Sequence, residues 1–251
     1  PPHDDPTHPP VRRTTHPLIR GAAMDLLDGI ATTRAIRRYR PDLIPEADLA
    51  TMLWHATRAP SGSNRQPARF LVLRDGPGAT EAKALLGKAY RAAWGDKRGT
   101  HGFDRGSGAD PTSPKARAAR AMQTFVDAFE QTPVVVLACI ERWRRPHISE
   151  GGSVYPACQN LLLAARALGY GGVLSMWHGL VEADLRRVLR MPDEVVIAAT
   201  VTLGVPEGNH GPVRRLPLRT VVFDDMWGAN APWAVDPPGT RFTSAGPKTE
   251  A

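Results

Sequence analysis

Cysteine is scarce in this chain. Only Cys139 and Cys158 occur among 251 residues, each inside an apolar segment, which excludes a disulfide scaffold and a cysteine zinc cluster. No apolar run approaches the roughly 18–20 residues that span a bilayer. The N-terminal stretch PPHDDPTHPPVRRTTHP lacks the apolar core of a secretory signal, so a reducing, cytoplasmic setting is expected. The patterns HExxH, GxxxxGK[ST] and GxGxxG are missing, which removes the common zinc-protease, P-loop and dinucleotide fingerprints. There is no internal repeat. Acidic residues are the scarcer charge: 25 Asp and Glu stand against 32 Lys and Arg, a net charge of +7. An excess of that size points to an anionic partner, such as nucleic acid, a membrane surface or a phosphorylated small molecule.

What is present is ordinary globular composition, 42% hydrophobic and 23% charged. The length suits one large domain able to bury a core by itself. Residues 1–23 are Pro-rich and polar without apolar periodicity and read as a flexible arm. The histidines in it, His3, His8 and His16, are either weak metal ligands or part of a solvated tail. Ordered patterning begins near Met24 and runs to about residue 228, and residues 229–251 read as a second arm.

Within that domain the periodicity predicts helices over 25–33, 45–59, 80–94, 115–130, 153–168 and 182–190. Pro45 suits a first turn, and Glu46 and Asp48 complement the dipole. Ser153 is the expected cap of the fifth helix and Gly169 its stop. Strands are expected over 68–74, 133–140 and 195–203, with a short edge strand at 220–223. PVVVLACI is apolar throughout, as in a strand buried on both faces. The Gly, Pro and Ser content of 95–114 reads as a mobile loop or lid. The apolar stripe of helix 153–168 is too wide for one buried face and suggests a central or interfacial helix. Helices interleaved with strands indicate an α/β or α+β fold, with helices on both sides of a sheet.

Three loops concentrate unusual chemistry. Arg34-Ala-Ile-Arg-Arg offers rigid guanidinium forks that match phosphate, or is simply a solvated basic surface. Pro60-Ser-Gly-Ser-Asn-Arg-Gln-Pro is crowded with hydroxyl and amide groups able to grip a polar heterocycle, or is a helix-ending turn. Gly171-Gly-Val-Leu-Ser-Met-Trp-His-Gly has glycines that admit close backbone approach to a ligand, or that make a tight connection.

Taken together, TTRAIRRYRPDLIPEADLATMLWHATRAPSGSNRQPARFLVLRD, ACQNLLLAARALGYGGVLSMWHG and LGVPEGNHGPVRRLPLRTVVF resemble, in order, three segments of the FMN-dependent nitroreductase family. The similarity runs from about Met24 to Trp227. It implies a dimer with a central mixed sheet flanked by helices. It also implies an FMN cofactor whose phosphate and ribityl chain meet Arg34 and Arg37, with Ala35 and Arg38 beside them, and Arg214 or Arg215 closing the phosphate site. Pro60, Ser61, Ser63, Asn64 and Gln66 would line the ring and ribityl groups, partly across the dimer. Met176, His178 and Gly179 would lie against the flavin, with backbone N–H groups directed at it. Two departures stand out. Ala35 replaces the family's common Ser, and Ala68 replaces the usual Trp after Gln-Pro.

The resemblance implies a homodimeric NADPH- or NADH-dependent oxidoreductase. It would reduce electron-poor aromatic or quinone acceptors by ping-pong hydride transfer, with no metal and no catalytic side chain, because the flavin carries the hydride. His178 is the candidate for a proton donor, its reference pKa lying near 6.5. Trp177 is a candidate stacking surface for a substrate ring. Two alternatives differ in reaction or class. One keeps the fold for reductive dehalogenation or flavin fragmentation. The other is a basic nucleic-acid binder, for which RWRRPH at 142–147 is the main patch.

Overall fold

The computed structural model describes residues 24–143, 145–208 and 210–243. The expected arm over 1–23, with its histidines, and the last eight residues of the arm expected over 229–251 lie outside that range. Six helices are described: α1 (Leu26–Thr32), α2 (Glu46–Ala56), α3 (Pro77–Thr100), α4 (Pro114–Asp127), α5 (Tyr155–Ala167) and α6 (Glu182–Val188). Four strands accompany them: β1 (Ala68–Leu73), β2 (Val134–Glu141), β3 (Gly171–Ser175) and β4 (Val195–Gly204).

The strands form one sheet in the order β1-β2-β4-β3, and every neighbouring pair is antiparallel. The parallel component is a single bridge along the free edge of β3, where Ala35 pairs with Gly172 and the Ile36 N–H donates to the Gly172 carbonyl at 2.9 Å. Beyond it, Arg40 N–H donates to Val205 and Glu207 N–H to Arg38. The arginine-rich segment is thus laid along the sheet as an edge ribbon rather than left in solvent.

β2 shows why its sequence is apolar at every position. Val134, Val136, Ala138 and Ile140 face α2 and α5, meeting Met52, Cys158, Leu161 and Ala165. Val135, Leu137 and Cys139 face α3 and α4, meeting Tyr90, Trp94, Phe125 and Phe129. Complete burial of one such side chain contributes roughly 1.5–3 kcal/mol. The two cysteines belong to these opposite layers, and burial pushes the Cys139 thiol up to about 12 and Cys158 to about 11. Both stay protonated at neutral pH, so neither is a nucleophile.

Particular caps and stops set the helix ends. The Asp25 carboxylate accepts from the N–H groups of Leu27 and Asp28, starting α1. Pro45 precedes α2 directly. Gly169 takes φ +86° after α5, a left-handed turn that favours glycine.

Other expectations are corrected. α3 runs through Gly95 and Gly99 to Thr100, although each glycine weakens a helix by about 1 kcal/mol. Its last turns are held from α4 and from the segment before it: Trp94 Nε1 donates to the Gln123 amide oxygen at 2.9 Å, and Arg98 reaches both Gln123 of α4 and Asp104. The loop expected over 95–114 shrinks accordingly, and Lys115 Nζ donates to the Gly102 carbonyl across it. Ser153 does not cap α5. It ends a 3-10 turn, Ile148–Ser153, and its Oγ accepts from the Gly62 N–H at 3.2 Å. Residues 171–175, read as loop, form strand β3. The expected strand at 220–223 is a 3-10 turn, Leu218–Thr220, plus one bridge from Phe223 to Asn230. There the Asp236 carboxylate takes the Leu218 N–H, and the Thr220 hydroxyl bonds back to Pro217. Such local bonds compete with strand pairing.

α1 leaves its apolar side chains outside. Leu26, Leu27 and Ile30 are 66%, 73% and 53% exposed. With Leu163, Ala164 and Ala167 of α5, α1 borders an apolar groove of about 360 Å³. The wide stripe of α5 therefore faces both the core and this groove.

Candidate active site

The loop after α2 is strained. Ser63, Asn64 and Gln66 take φ of +51°, +51° and +52°, a region that costs non-glycine residues of order 1–3 kcal/mol each. Surrounding bonds hold it there. Ser61 Oγ accepts from the Gln66 N–H at 2.9 Å, Ser153 Oγ from Gly62, and the Gln66 carbonyl from Arg69 at 2.9 Å. Pro60, Ser63, Asn64 and Gln66 are all exposed, so their polar groups face outward from a fixed backbone. The loop borders a cleft of about 440 Å³ whose far wall carries Trp143 and Glu150. Arg65 lies over the Trp143 ring, 5.2 Å from its centroid. Ala68 pairs with Ile140, so Trp143 stands just beyond the end of the neighbouring strand.

At the end of β3 the chain turns into a 3-10 segment, Trp177–Val181. Met176 and Gly179 are exposed and line an open cleft of about 580 Å³ together with Lys97, Thr100 and His101 of the α3 end. Trp177 packs edge-on against Tyr90 at 5.3 Å, and the Lys97 ammonium lies 6.0 Å from its ring centre.

His178 points the other way. It is 5% exposed; Nε2 lies 3.0 Å from the Ile197 carbonyl and Nδ1 lies 3.4 Å from Thr200 Oγ1. Burial pushes its pKa below the ordinary imidazole value, so it is neutral at pH 7. The ring anchors the turn to β4 and does not reach the cleft, which corrects its reading as a proton donor. Its backbone still belongs to the turn that carries Met176 and Gly179.

The arginines diverge because the edge ribbon is extended, and successive side chains leave it on opposite sides. Arg34 donates to the Gly211 carbonyl and faces α5 with Ile36. Arg37 is half-buried beside Tyr39 and Tyr90; burial lowers its pKa, yet guanidinium remains charged. Arg38 is exposed against Gly208. Arg214 and Arg215 are exposed. Arg215 is zipped to the end of the described chain, its N–H donating to Arg241 and its carbonyl accepting from Thr243. Among the described residues no carboxylate forms an ion pair with Arg34, Arg37, Arg38, Arg214 or Arg215. Ala35 lies on the ribbon and supplies no hydroxyl.

Of the predicted residues, Ser63, Arg34, and Met176 with Gly179 line three clefts that share no residue, beside the 60–67 loop, the edge ribbon and the turn after β3. Pro60, Ser61, Asn64, Gln66, Ala35, Arg37, Arg38, Arg214, Arg215 and the His178 ring line none of the three. Sequence reasoning missed three members. Lys97 lay in the expected loop. Arg166 was hidden in the last turn of α5. His210, whose Nε2 is buried with no hydrogen-bond partner among the described residues, had one signal, its place inside the basic segment LGVPEGNHGPVRR. An orphaned imidazole nitrogen, unpaired arginines and a fixed loop of amides suit an anionic ligand with a polar heterocycle. Among the described residues no group of three His, Cys, Asp or Glu is placed to hold a metal, and no helix is long and apolar enough to cross a membrane.

Comparison with known proteins gives one pattern. The sequence model described as "Nitroreductase family" matches residues 30–205. An NADH dehydrogenase of Thermus thermophilus is 32% identical over 197 residues, 76% of this chain and 91% of that protein. Among solved structures, NADPH:FMN oxidoreductase from Vibrio harveyi complexed with NAD+ is 20% identical with a TM-score of 0.58, covering 80% of this chain and 77% of that one. Iodotyrosine deiodinase bound to FMN and 3-iodo-L-tyrosine is 23% identical with a TM-score of 0.55, covering 76% of this chain and 95% of that one. These two likenesses are of fold.

Proposed function

This chain belongs to the nitroreductase family, and we propose from that premise that it is a homodimeric, FMN-dependent NAD(P)H oxidoreductase acting on electron-poor aromatic or quinone acceptors. The observation that carries the reading is the cationic ribbon beside β3, with Arg34, Arg37 and Arg38 free of carboxylate partners among the described residues. Arg34 and Arg38 leave the ribbon on one side and Arg37 on the other, and guanidinium groups without carboxylate partners suit an anion such as the phosphate of FMN.

When bound, FMN supplies the hydride chemistry. The chain's own residues bind, orient and shield. Arg34, Arg37 and Arg38, with Arg214 or Arg215, hold the phosphate and ribityl end. Ser61, Ser63, Asn64 and Gln66 offer hydroxyl and amide groups from a loop already fixed in its strained form, so little order is lost on binding. Met176 and the backbone around Gly179 border the ring. The open cleft between that turn and Lys97 receives the reductant and then, after it leaves, the acceptor. This single shared place is the basis of ping-pong turnover.

Dimerisation joins the parts. One chain leaves the three groups of residues in separate clefts, and it leaves Leu26, Leu27 and Ile30 exposed beside an apolar groove. A second copy covers that face and brings the 60–67 loop of one subunit to the ribbon of the other.

The test is direct. Purified protein is expected to be yellow, or to become so with FMN, and to oxidise NADPH or NADH when given a nitroaromatic or quinone. Parallel arms with a halophenol and with reduced FMN in air separate dehalogenation and flavin fragmentation. A protein that stays colourless after incubation with FMN overturns the reading. The nucleic-acid alternative has little support from the basic patch at 142–147, because Arg142 is paired with Glu150 at 2.8 Å.

A further inference from the structure

We propose that the cleft between the last turns of α3 and the Met176–Gly179 turn selects acceptors that carry a carboxylate on their ring, and that Lys97 and His101 recognise that group. The proposal rests on the reading of this cleft as the acceptor site. Neither residue is implied by the resemblance.

The first observation is a cation without a partner. Lys97 is exposed, and among the described residues its ammonium makes no ion pair and no hydrogen bond. It lies 6.0 Å from the Trp177 ring centre, at the edge of the cleft. The dipole of α3 favours basic residues in its last turn, but it does not aim them. Arg98 turns to Gln123 and Asp104, whereas Lys97 turns to the cleft. His101 follows Lys97 by four residues, which puts both on one side of the helix end. Its exposed ring also lines the cleft and keeps an N–H donor in either tautomer. The carboxylate among the lining residues is Asp96. Successive residues leave a helix about 100° apart, and Asp96 forms no ion pair with Lys97. It shares the adjacent row with Thr100, whose hydroxyl donates to the Asp96 carbonyl at 2.9 Å.

The second is the wall opposite. Met176 and Leu180 are each more than half exposed and line the same cleft, with Trp177 half-buried between them. Large apolar side chains gathered at an open cleft mark a binding surface. A ligand that covers them is apolar over most of its area, and one that also meets Lys97 and His101 is anionic at one end. An aromatic carboxylate is both. One ammonium and one imidazole N–H match its two oxygens, and no arginine lines the cleft to supply the forks that suit phosphate.

The third is size and fixity. At about 580 Å³ the cleft falls within the roughly 300–1,000 Å³ of sites that take a whole small molecule. Both walls are anchored from behind. Trp94 is bonded to Gln123 on the α3 side, and His178 to the Ile197 carbonyl at 3.0 Å on the side of the turn. Little order is therefore lost when a ligand enters.

The test compares para-nitrobenzoate with its neutral analogue para-nitrobenzamide on the FMN-loaded full-length protein. The quantity read is the ratio of their kcat/KM values, so that intrinsic reactivity cancels between variants. Lys97→Met is expected to lower the ratio about tenfold and His101→Leu about threefold. Lys97→Arg should restore much of it. A ratio that is the same in wild type and variants overturns the proposal. So does a loss confined to kcat/KM for NADPH, which assigns Lys97 to the reductant. Calorimetric binding of benzoate and benzamide to the wild type needs neither turnover nor a variant. Benzoate is expected to bind about tenfold more tightly, with the gap narrowing as salt is added. A yellow, active protein without that preference overturns the carboxylate site and leaves the FMN reading intact. The preference in a protein that takes no flavin does the reverse.

Discussion

On one face of the sheet, α2 and α5 bury an aliphatic layer, with Met52, Leu161 and Val201 fully enclosed. On the other, α3 and α4 close over interlocked rings, Tyr90, Trp94, Phe125 and Phe129, with centroids 4.3–6.0 Å apart among Tyr90, Phe125 and Phe129. The buried threonines of β4, Thr200 and Thr202, lie on the strand face opposite Ala199, Val201 and Leu203, with the buried His178 of the Trp177–Val181 segment near Thr200. The aromatic face is sealed by its own chain. The aliphatic face is followed outward by α1, whose leucines and isoleucine remain exposed. The contrast teaches a division of labour. One face builds a floor under the Met176–Gly179 turn, and the other leaves Leu26, Leu27 and Ile30 exposed, the face proposed above for a second subunit.

That comparison can be broken in four places. The largest effect is expected on the open side. If the proposed dimer forms on this face, Leu27→Asp with Ile30→Asp should give a monomer in light scattering and lower FMN binding, because the three clefts then stay apart. A dimer that survives both charges would show that α1 is not the interface.

Next come the cores. Leu161→Ala should lower the unfolding free energy by about 2–5 kcal/mol and Phe129→Ala by about 3–5 kcal/mol, both read from urea titration. Equal losses would mean that the aromatic layer adds nothing beyond its volume.

A smaller effect is expected from His178. Its folded pKa lies below the unfolded value near 6.5, so the unfolded chain binds the proton more readily. The neutral ring contributes its full stability above about pH 6.5, and that contribution falls as pH drops toward the folded pKa. His178→Gln should flatten this part of the stability profile; an unchanged slope would count against the buried neutral ring.

The smallest is Tyr90→Phe. The hydroxyl is buried without a hydrogen bond of good geometry, and burial pushes its pKa up to about 12. Its removal should change stability by no more than about 1 kcal/mol. A larger loss would reveal a bond to the neighbouring Ser175 or Thr200.

Much of the fold was legible residue by residue. Val134–Glu141 announced itself by an unbroken apolar run, α1 by its apolar periodicity, and α2 by Pro45 with its acidic first turn. These signals are local, because caps and periodicity act within one turn or one strand. β3 was not legible, since the two glycines of Gly171–Ser175 read as a turn. They are needed because a Cβ on Gly172 would lie 2.3 Å from the Thr202 carbonyl of the neighbouring strand. Nor was the length of α3, whose glycine-containing end is held by Gln123 and Asp104 rather than by its own propensity.

The same boundary runs through the candidate site. By itself the sequence determined the family pattern, the three loops and the residue types able to meet a phosphate and a polar ring. Local chemistry is written in side-chain identity and spacing. Only the tertiary structure decided where those groups point. It laid the arginines along β3 so that Arg34 and Arg37 part to opposite sides, and it turned His178 inward to Ile197. It also brought Arg166 and His210, 44 positions apart by their numbering, into one cleft. Direction depends on strand alternation and on which distant element packs against each face, and neither is written in the neighbouring residues.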